Sequence, residues 1–477
     1  MARARSTFVC TECGAQQPRW LGRCPGCGAW SSLVEEPLGT PAGEAAAPSD
    51  LLGLDPSAAS AKAVPLREVD ADAAPHLETG IAELDRVLGG GLVPGSVVLL
   101  GGEPGIGKST LALQLAQRLG ARGLPVLYVT GEESLEQVRL RASRLGEIGP
   151  ALVAIAETRV EALSGPWREL QPALVIVDSI QTLRTERIES APGSVAQVRE
   201  SAALLAATAK AHRAALLIVG HVTKEGTLAG PRVLEHLVDV VLNFEGERSH
   251  AFRLLRGSKN RFGSTQEVGV FTMGETGLEA VENPSELFLA ERHQGAPGSC
   301  IVPVLEGTRP LLVEVQALVA PAGYGTARRT CLGIDDARVA LLLAVLDRRT
   351  AIDLVGSDVY VNVTGGVRVT EPAADLAVAL ALASSRLDRA VPPDVAACGE
   401  VGLGGEVRRA GRIDLRLREA ARLGFRRVLV PERVAPDLAD VPGVEPVPVG
   451  TLDDAVRWLA NAAPPRTHGG YDPDNVR

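Results

Sequence analysis

Residues Gly102-Glu103-Pro104-Gly105-Ile106-Gly107-Lys108-Ser109-Thr110 fill the pattern G-x-x-x-x-G-K-[ST]. In that spacing the glycines let the backbone wrap with successive N–H groups pointing at phosphate oxygens, and the helix that follows adds its partial positive charge. Lys108 supplies a mobile cation for the β- and γ-phosphates, and the Ser109 hydroxyl a ligand for Mg2+. The chemistry is the binding of a nucleoside triphosphate. Asp178 closes the apolar run Leu174-Val175-Ile176-Val177, where a carboxylate can hold the water shell of the same Mg2+. Glu132 and Glu133 follow Tyr128-Val129-Thr130-Gly131. A carboxylate there can polarise the water that attacks the γ-phosphate, and Glu132 is preferred to Glu133. His221 follows the apolar run 216–219 and Gly220, and a polar group at this place can sense the γ-phosphate and relay its state to the next loop. Lys108, Glu132, Asp178 and His221 form the expected catalytic set.

A second chemistry sits near the N-terminus. Cys10 and Cys13 form one C-x-x-C pair, Cys24 and Cys27 a second, with ten residues between the pairs. This is the ligand set of a tetrahedral zinc site made of four cysteines, each pair followed by glycine (Gly14, Gly28) as a tight knuckle turn requires. Residues 1–30 also carry Arg3, Arg5, Arg19 and Arg23 against Glu12 alone, with Phe8, Trp20 and Trp30 interleaved. Cations with aromatic faces suit phosphates and stacked bases, so the zinc ribbon is either a nucleic-acid contact or a structural and docking module.

Elements must place these groups. Val97-Val98-Leu99-Leu100 reads as a buried strand entering the P-loop, and 111–119 as the helix leaving it. Beyond, apolar runs at 126–130, 152–156, 174–177 and 216–219 alternate with helical patterns at 135–145, 160–170 and 195–211. That alternation predicts a mainly parallel sheet covered by helices, with polar strand ends forming the ligand site. Residues 35–75 are dominated by Ala, Pro, Gly and Ser and read as a flexible linker. The domains expected are a zinc ribbon (1–34), this linker, an ATPase core (76–284), an α+β domain (285–461) and a disordered tail (462–477).

Length and charge bound the rest. A chain of 477 residues suggests roughly three domains, and no apolar run approaches the roughly 20 residues of a membrane span. No signal peptide is read at the N-terminus, and cysteines used as metal ligands suit a reducing cytoplasm. The formal net charge of −9 does not exclude nucleic acid, because basic residues cluster. Residues 252–266 hold Arg253, Arg256, Lys259 and Arg261 with no acidic residue. On a connecting segment they could reach a DNA phosphate or an ATP held by a neighbouring subunit.

Residues 79–96, the P-loop and the Asp178 strand are similar to the RecA/KaiC/DnaB group of motor cores. Residues 128–134, His221-Val222-Thr223-Lys224-Glu225-Gly226 and Lys259-Asn260-Arg261-Phe262-Gly263, with the four-cysteine ribbon, resemble the bacterial RadA (Sms) family of DNA-repair proteins over nearly the whole chain. The archaeal recombinase of that name is a different protein. The resemblance implies a nucleoid-associated ATPase, helicase-like on single-stranded DNA, which extends strand-exchange branches in recombinational repair. It implies ATP, Mg2+ and Zn2+ as cofactors. Its partners would be single-stranded and branched DNA, a RecA-type recombinase and further copies of the chain in a ring, expected as a hexamer. Residues 259–263 would touch DNA or a neighbour's nucleotide, and 223–230 and 184–194 would be DNA loops. A KaiC-like regulatory switch that binds a protein partner is the alternative.

The C-terminal part resembles the proteolytic domain of Lon. Following that pattern, the nucleophile position is Ala374 and the lysine position Asp414, and no lysine occurs after Lys259. Without an activated hydroxyl no acyl transfer follows, and arginine cannot act as the base. Eight arginines between 404 and 427 (408, 409, 412, 416, 418, 422, 426 and 427) read as a solvated helix face or a DNA platform.

Overall fold

The computed structural model describes residues 6–10, 16–26, 28–30, 32–37, 65, 76–220, 233–246, 252–290, 292–322, 327–354, 356–438 and 441–462. The chain divides into two units, Met1–Glu282 and Asn283–Arg477. None of the described helices is long and apolar enough to cross a membrane.

In the first unit, β1 (Ser6–Cys10), β2 (Gln16–Gln17) and β3 (Leu33–Pro37) form an antiparallel sheet in the order β2-β1-β3. Its small core is Cys10, Cys24 and Leu33, with Phe8 and Leu21 against them. So few apolar groups cannot stabilise a fold alone, which is the usual reason such modules use a metal.

The larger part alternates helix and strand. It runs α1 (Ala82–Leu88), β4 (Val97–Gly102), α2 (Lys108–Ala121), β5 (Val126–Thr130), α3 (Leu135–Leu145), β6 (Leu152–Ala156), α4 (Ser164–Leu170) and β7 (Leu174–Asp178). It continues with α5 (Val195–Ala211), β8 (Ala215–Val219), α6 (Val233–Leu237), β9 (Val240–Glu245), β10 (Phe252–Asn260), β11 (Val268–Gly274) and β12 (Gly277–Ala280). The strands form one sheet in the order β12-β11-β10-β9-β4-β8-β7-β5-β6. From β9 to β6 all neighbours are parallel, whereas β10, β11 and β12 are added antiparallel. Side chains on β4 alternate between two cores. Val98 and Leu100 join the layer of α1 and α2, and Val97 and Leu99 join that of α5. Burial on both faces is why the strand reads as an unbroken apolar run.

Three readings need correction. Residues 35–37, read as the start of the linker, complete strand β3 and pair with β1. Residues 160–170 are a 3-10 turn at 160–163 followed by α4, with Pro166 tolerated in the first turn because its missing N–H has no helical acceptor there. Residues 252–266 are mostly strand β10, so the sheet and not solvent surrounds part of the basic cluster.

The second unit contains α7 (Pro284–Leu289), β13 (Ser299–Glu306), β14 (Arg309–Pro321), β15 (Arg329–Leu332), α8 (Asp336–Arg349), β16 (Ser357–Val363) and α9 (Asp375–Leu387). There follow β17 (Val395–Ala397), β18 (Glu400–Val401), β19 (Val407–Arg408), α10 (Ile413–Arg422), β20 (Arg427–Pro431), β21 (Glu445–Val449) and α11 (Leu452–Ala462). A mixed sheet in the order β15-β16-β14-β13-β17-β20-β21 packs against the almost wholly buried α9.

Candidate nucleotide-binding site

The P-loop leaves β4 at Gly102, whose φ of +151° and close approach to the Phe244 carbonyl exclude a side chain: a Cβ there would lie 2.6 Å from that oxygen. Lys108 opens α2 and is only 4 % exposed. Its Nζ donates to the Gly102 carbonyl at 2.7 Å and the Glu103 carbonyl at 2.9 Å, closing the loop on itself. Burial lowers the Lys108 pKa to about 8 against the opposing pull of Asp178, Glu132 and Glu103. Residues 103–105 are exposed and Ile106 is buried, so the loop is anchored from below and open above.

Asp178 ends β7, two strands from β4 in the sheet. Its Oδ1 accepts the Ser109 hydroxyl at 3.1 Å and its Oδ2 the Tyr128 hydroxyl at 2.6 Å. Arg141 on α3 stands 3.7 Å from the same Oδ2. Burial, reinforced by the Asp178 charge, raises the Tyr128 pKa well above its ordinary value, so the phenol stays a donor.

The two glutamates after β5 diverge. Thr130 Oγ1 accepts from the Glu133 N–H at 3.0 Å, turning the chain, and Ser134 then caps α3 in a capping box with Gln137. The turn aims Glu133 at Arg141, 2.9 Å away, and Glu132 at Ser179, whose hydroxyl donates to Glu132 Oε1 at 2.6 Å. Ser179 follows Asp178 through a cis peptide bond. Lys108, Ser109, Glu132 and Asp178 thus converge at the ends of parallel strands. His221 and the loop 223–230 lie outside the described residues.

The residues fit the groups they are expected to hold. Ser109 Oγ and Asp178 Oδ1 are hard oxygens set side by side at the start of α2, which suits Mg2+. At the ribbon, Cys10 and Cys24 are buried, and the Gly26 N–H donates to Cys24 Sγ at 3.3 Å. An N–H aimed at sulfur is what a thiolate ligand of zinc uses. Cys13 and Cys27 lie outside the described residues.

Residues 259–263 lie at the opposite end of the sheet. Asn260 pairs with Val240 and Val240 with Val98, where β4 begins. With about 3.3 Å per residue, the motif is roughly 15 Å along the sheet from its own P-loop. Lys259 Nζ donates to the carbonyls of Glu235 and Val238 at 2.6 and 2.7 Å, around the end of α6. Asn260 donates to the carbonyls of Val87 and Leu88 at the end of α1, and its Oδ1 accepts from the N–H groups of Phe262 and Gly263. Arg261 pairs with Asp239 at 3.2 Å with most of its side chain in solvent, and Phe262 is 38 % exposed. Elsewhere in the basic cluster, Arg256 pairs with Glu245 at 2.9 Å, while Arg253 is buried and donates to the Ile106 carbonyl at 3.0 Å.

In the second unit, Ala374 is buried in a short turn before α9. Its flanks are held by ion pairs: Glu371 with the buried Arg416 at 2.6 Å, and Asp375 with Arg338. Asp414 is exposed on α10. The eight arginines separate by environment. Arg416 is interior, Arg408, Arg422 and Arg427 pair with Glu406, Glu419 and Asp394, and Arg409, Arg412, Arg418 and Arg426 are exposed.

Sequence reasoning missed Tyr128, Arg141 and Ser179, and read Arg253 as reaching outward where its Nε donates to the Ile106 carbonyl. Tyr128 hid in an apolar run and Arg141 in a helical surface pattern. The one available signal was the apolar run Phe252, Leu254 and Leu255 around Arg253.

Comparison with known proteins agrees with this geometry. Family models match for the KaiC ATPase over residues 77–148, a rubredoxin metal-binding domain of zinc-ribbon type over 8–35, and the Lon protease (S16) C-terminal proteolytic domain over 350–447. The chain is 50 % identical to the DNA repair protein RadA of Bacillus subtilis and 49 % identical to that of Halalkalibacterium halodurans. Each comparison covers 96 % of this chain and 99 % of the relative. The RadA of Listeria monocytogenes is 48 % identical over the same shares.

Proposed function

The chain belongs to the RadA family of DNA repair proteins, and from that premise we propose that it hydrolyses ATP to drive helicase-like movement along single-stranded DNA. The movement would extend branches during strand exchange in recombinational repair, in a ring of copies, with a RecA-type recombinase as partner. The observation that carries hydrolysis is the split between the glutamates: Ser179 holds Glu132 beside Asp178, while Arg141 engages Glu133.

Each residue then has a role. The P-loop N–H groups and Lys108 orient the phosphates, and Lys108 exchanges its two carbonyl acceptors for phosphate oxygens. Ser109 and Asp178 hold Mg2+, which when bound neutralises charge on the phosphates. Tyr128 keeps Asp178 turned toward Ser109. Glu132 Oε accepts a proton from the attacking water, and the Ser179 hydroxyl fixes that carboxylate's direction. His221 would report the γ-phosphate to the loop behind it.

Residues 259–263 support a role toward another copy or DNA and not toward the chain's own nucleotide, since they stand at the far end of the sheet. Asn260 shapes the loop while Arg261 and Phe262 face outward. The second unit, with Ala374 and Asp414 at the positions a Lon-type nucleophile and base would occupy, serves assembly or DNA binding and not proteolysis.

The test is ATP turnover with and without single-stranded DNA. Stimulation by DNA, abolished in Lys108→Ala, is the expected outcome. Turnover indifferent to DNA would favour a regulatory switch, a reading that the KaiC family match keeps in view.

A further inference from the structure

We propose that Arg253 is a positioning residue of the nucleotide site, acting through the Ile106–Gly107 peptide of the P-loop. The proposal rests on the reading of residues 102–110 as an ATP-binding loop. Arg253 is the second residue of β10, and β10 runs antiparallel to β9, so Arg253 stands at the end of the sheet where β4 delivers the P-loop. It is 9 % exposed, and its Nε donates to the Ile106 carbonyl at 3.0 Å.

Two features separate it from three other arginines of the first unit. Arg141, Arg256 and Arg261 each face a carboxylate. Among the described residues no carboxylate pairs with Arg253. A buried guanidinium without a counter-charge is unfavourable on its own, and the anion that enters this loop is the polyphosphate of the nucleotide. The second feature is direction. A trans peptide points its carbonyl and N–H to opposite sides. The Ile106 carbonyl faces Arg253, so the Gly107 N–H of the same peptide faces away from it, toward the side where P-loop amides cradle the phosphates. A charged donor on the carbonyl makes a stronger bond than a neutral one, and it polarises the N–H across the plane. Arg253 thereby fixes the loop's curvature and strengthens one of its phosphate donors without touching the nucleotide.

The α- and β-phosphates receive the P-loop amides, so ATP and ADP are affected alike. In Arg253→Met the Kd for fluorescent ATP and for fluorescent ADP should each rise about tenfold, with kcat at saturating ATP within about threefold of the wild type. The melting temperature without nucleotide should be unchanged or higher, because a buried cation has gone, while the upward shift produced by ATP should shrink. Arg253→Lys, which keeps the charge, should restore most of the affinity, and Arg256→Met should bind as the wild type does. A lower melting temperature with unchanged nucleotide affinity would make Arg253 a structural brace only and overturn the proposal. A loss confined to ATP would overturn it too, because the guanidinium would then be reading the γ-phosphate. Should Arg253→Met not fold, the paired Kd values of Arg253→Lys and Arg253→Gln carry the same comparison. Wild-type protein that binds neither nucleotide would refute the underlying reading of the loop, and with it the proposal. Wild-type binding with unaffected Arg253 variants refutes the proposal alone.

Discussion

Ser179 gives its hydroxyl hydrogen to Glu132 at 2.6 Å, while Glu133, the next residue in the chain, lies 2.9 Å from Arg141. Two adjacent carboxylates of equal chemistry are thus sent to different partners by the turn that Thr130 and Ser134 impose. Glu132→Gln should lower kcat by about a hundredfold or more while ATP still binds, the scale expected for loss of a general base. Glu133→Gln should stay within a few-fold. Single-turnover hydrolysis of both variants checks this, and the reverse ranking would reassign the base.

Lys108 titrates unusually. Its folded pKa of about 8 lies below the ordinary lysine value of 10.5, chiefly because burial disfavours the charged form. A depressed lysine means that the folded state binds fewer protons than the unfolded chain between those two values, so stability rises with pH there. Below pH 8 both states are protonated and the burial penalty is complete. Nucleotide-free wild type should therefore gain on Lys108→Met as pH rises from about 8 toward 10.5, seen as converging denaturant midpoints. Parallel midpoints across that range would contradict the assignment.

Asn260 makes four hydrogen bonds that tie residues 261–263 to the end of α1. Asn260→Ala should cost about 2 kcal/mol, since it removes four hydrogen bonds, two of them to part-buried carbonyls. Arg261→Ala removes a half-exposed pair with the buried Asp239, which keeps the Val97 N–H as a donor, and should cost about 1 kcal/mol. If residues 259–263 act on a neighbour or on DNA, Arg261→Ala will nevertheless lose DNA-stimulated turnover. Chemical denaturation and ATPase assays together separate the two effects.

The Arg416–Glu371 pair is the internal clamp of the second unit. Arg416→Met should destabilise that unit by about 3 kcal/mol, because a partly buried carboxylate is left without its partner. Arg408→Met, whose pair with Glu406 is exposed, should be close to neutral. Ala374→Ser should not produce peptidase activity on unfolded casein, for want of a base to take the serine proton. Casein cleavage by that variant would show that another residue serves as the base.

The zinc ribbon offers a stoichiometric test. Metal analysis should find one zinc per chain, lost in Cys24→Ser, while ATP binding by the same variant persists. Retained zinc would mean that Cys24, for all its burial and its N–H···S contact, is not a ligand.

The P-loop, the Asp178 strand end and the alternation of β4 through β8 were legible in the sequence, because each is a local pattern: glycine spacing, an apolar run, a helical period. The antiparallel β10–β12 edge was not. Basic residues in β10 read as a connecting segment because the Ile106 carbonyl that holds Arg253 comes from a distant part of the chain. The sequence preference for Glu132 over Glu133 likewise had no partner behind it, and the fold supplies one for each, Ser179 and Arg141. Spacing within the chain identified the groups able to bind a phosphate or a metal. Which carboxylate faces which donor, and which cation meets a carbonyl, depend on contacts that only folding creates.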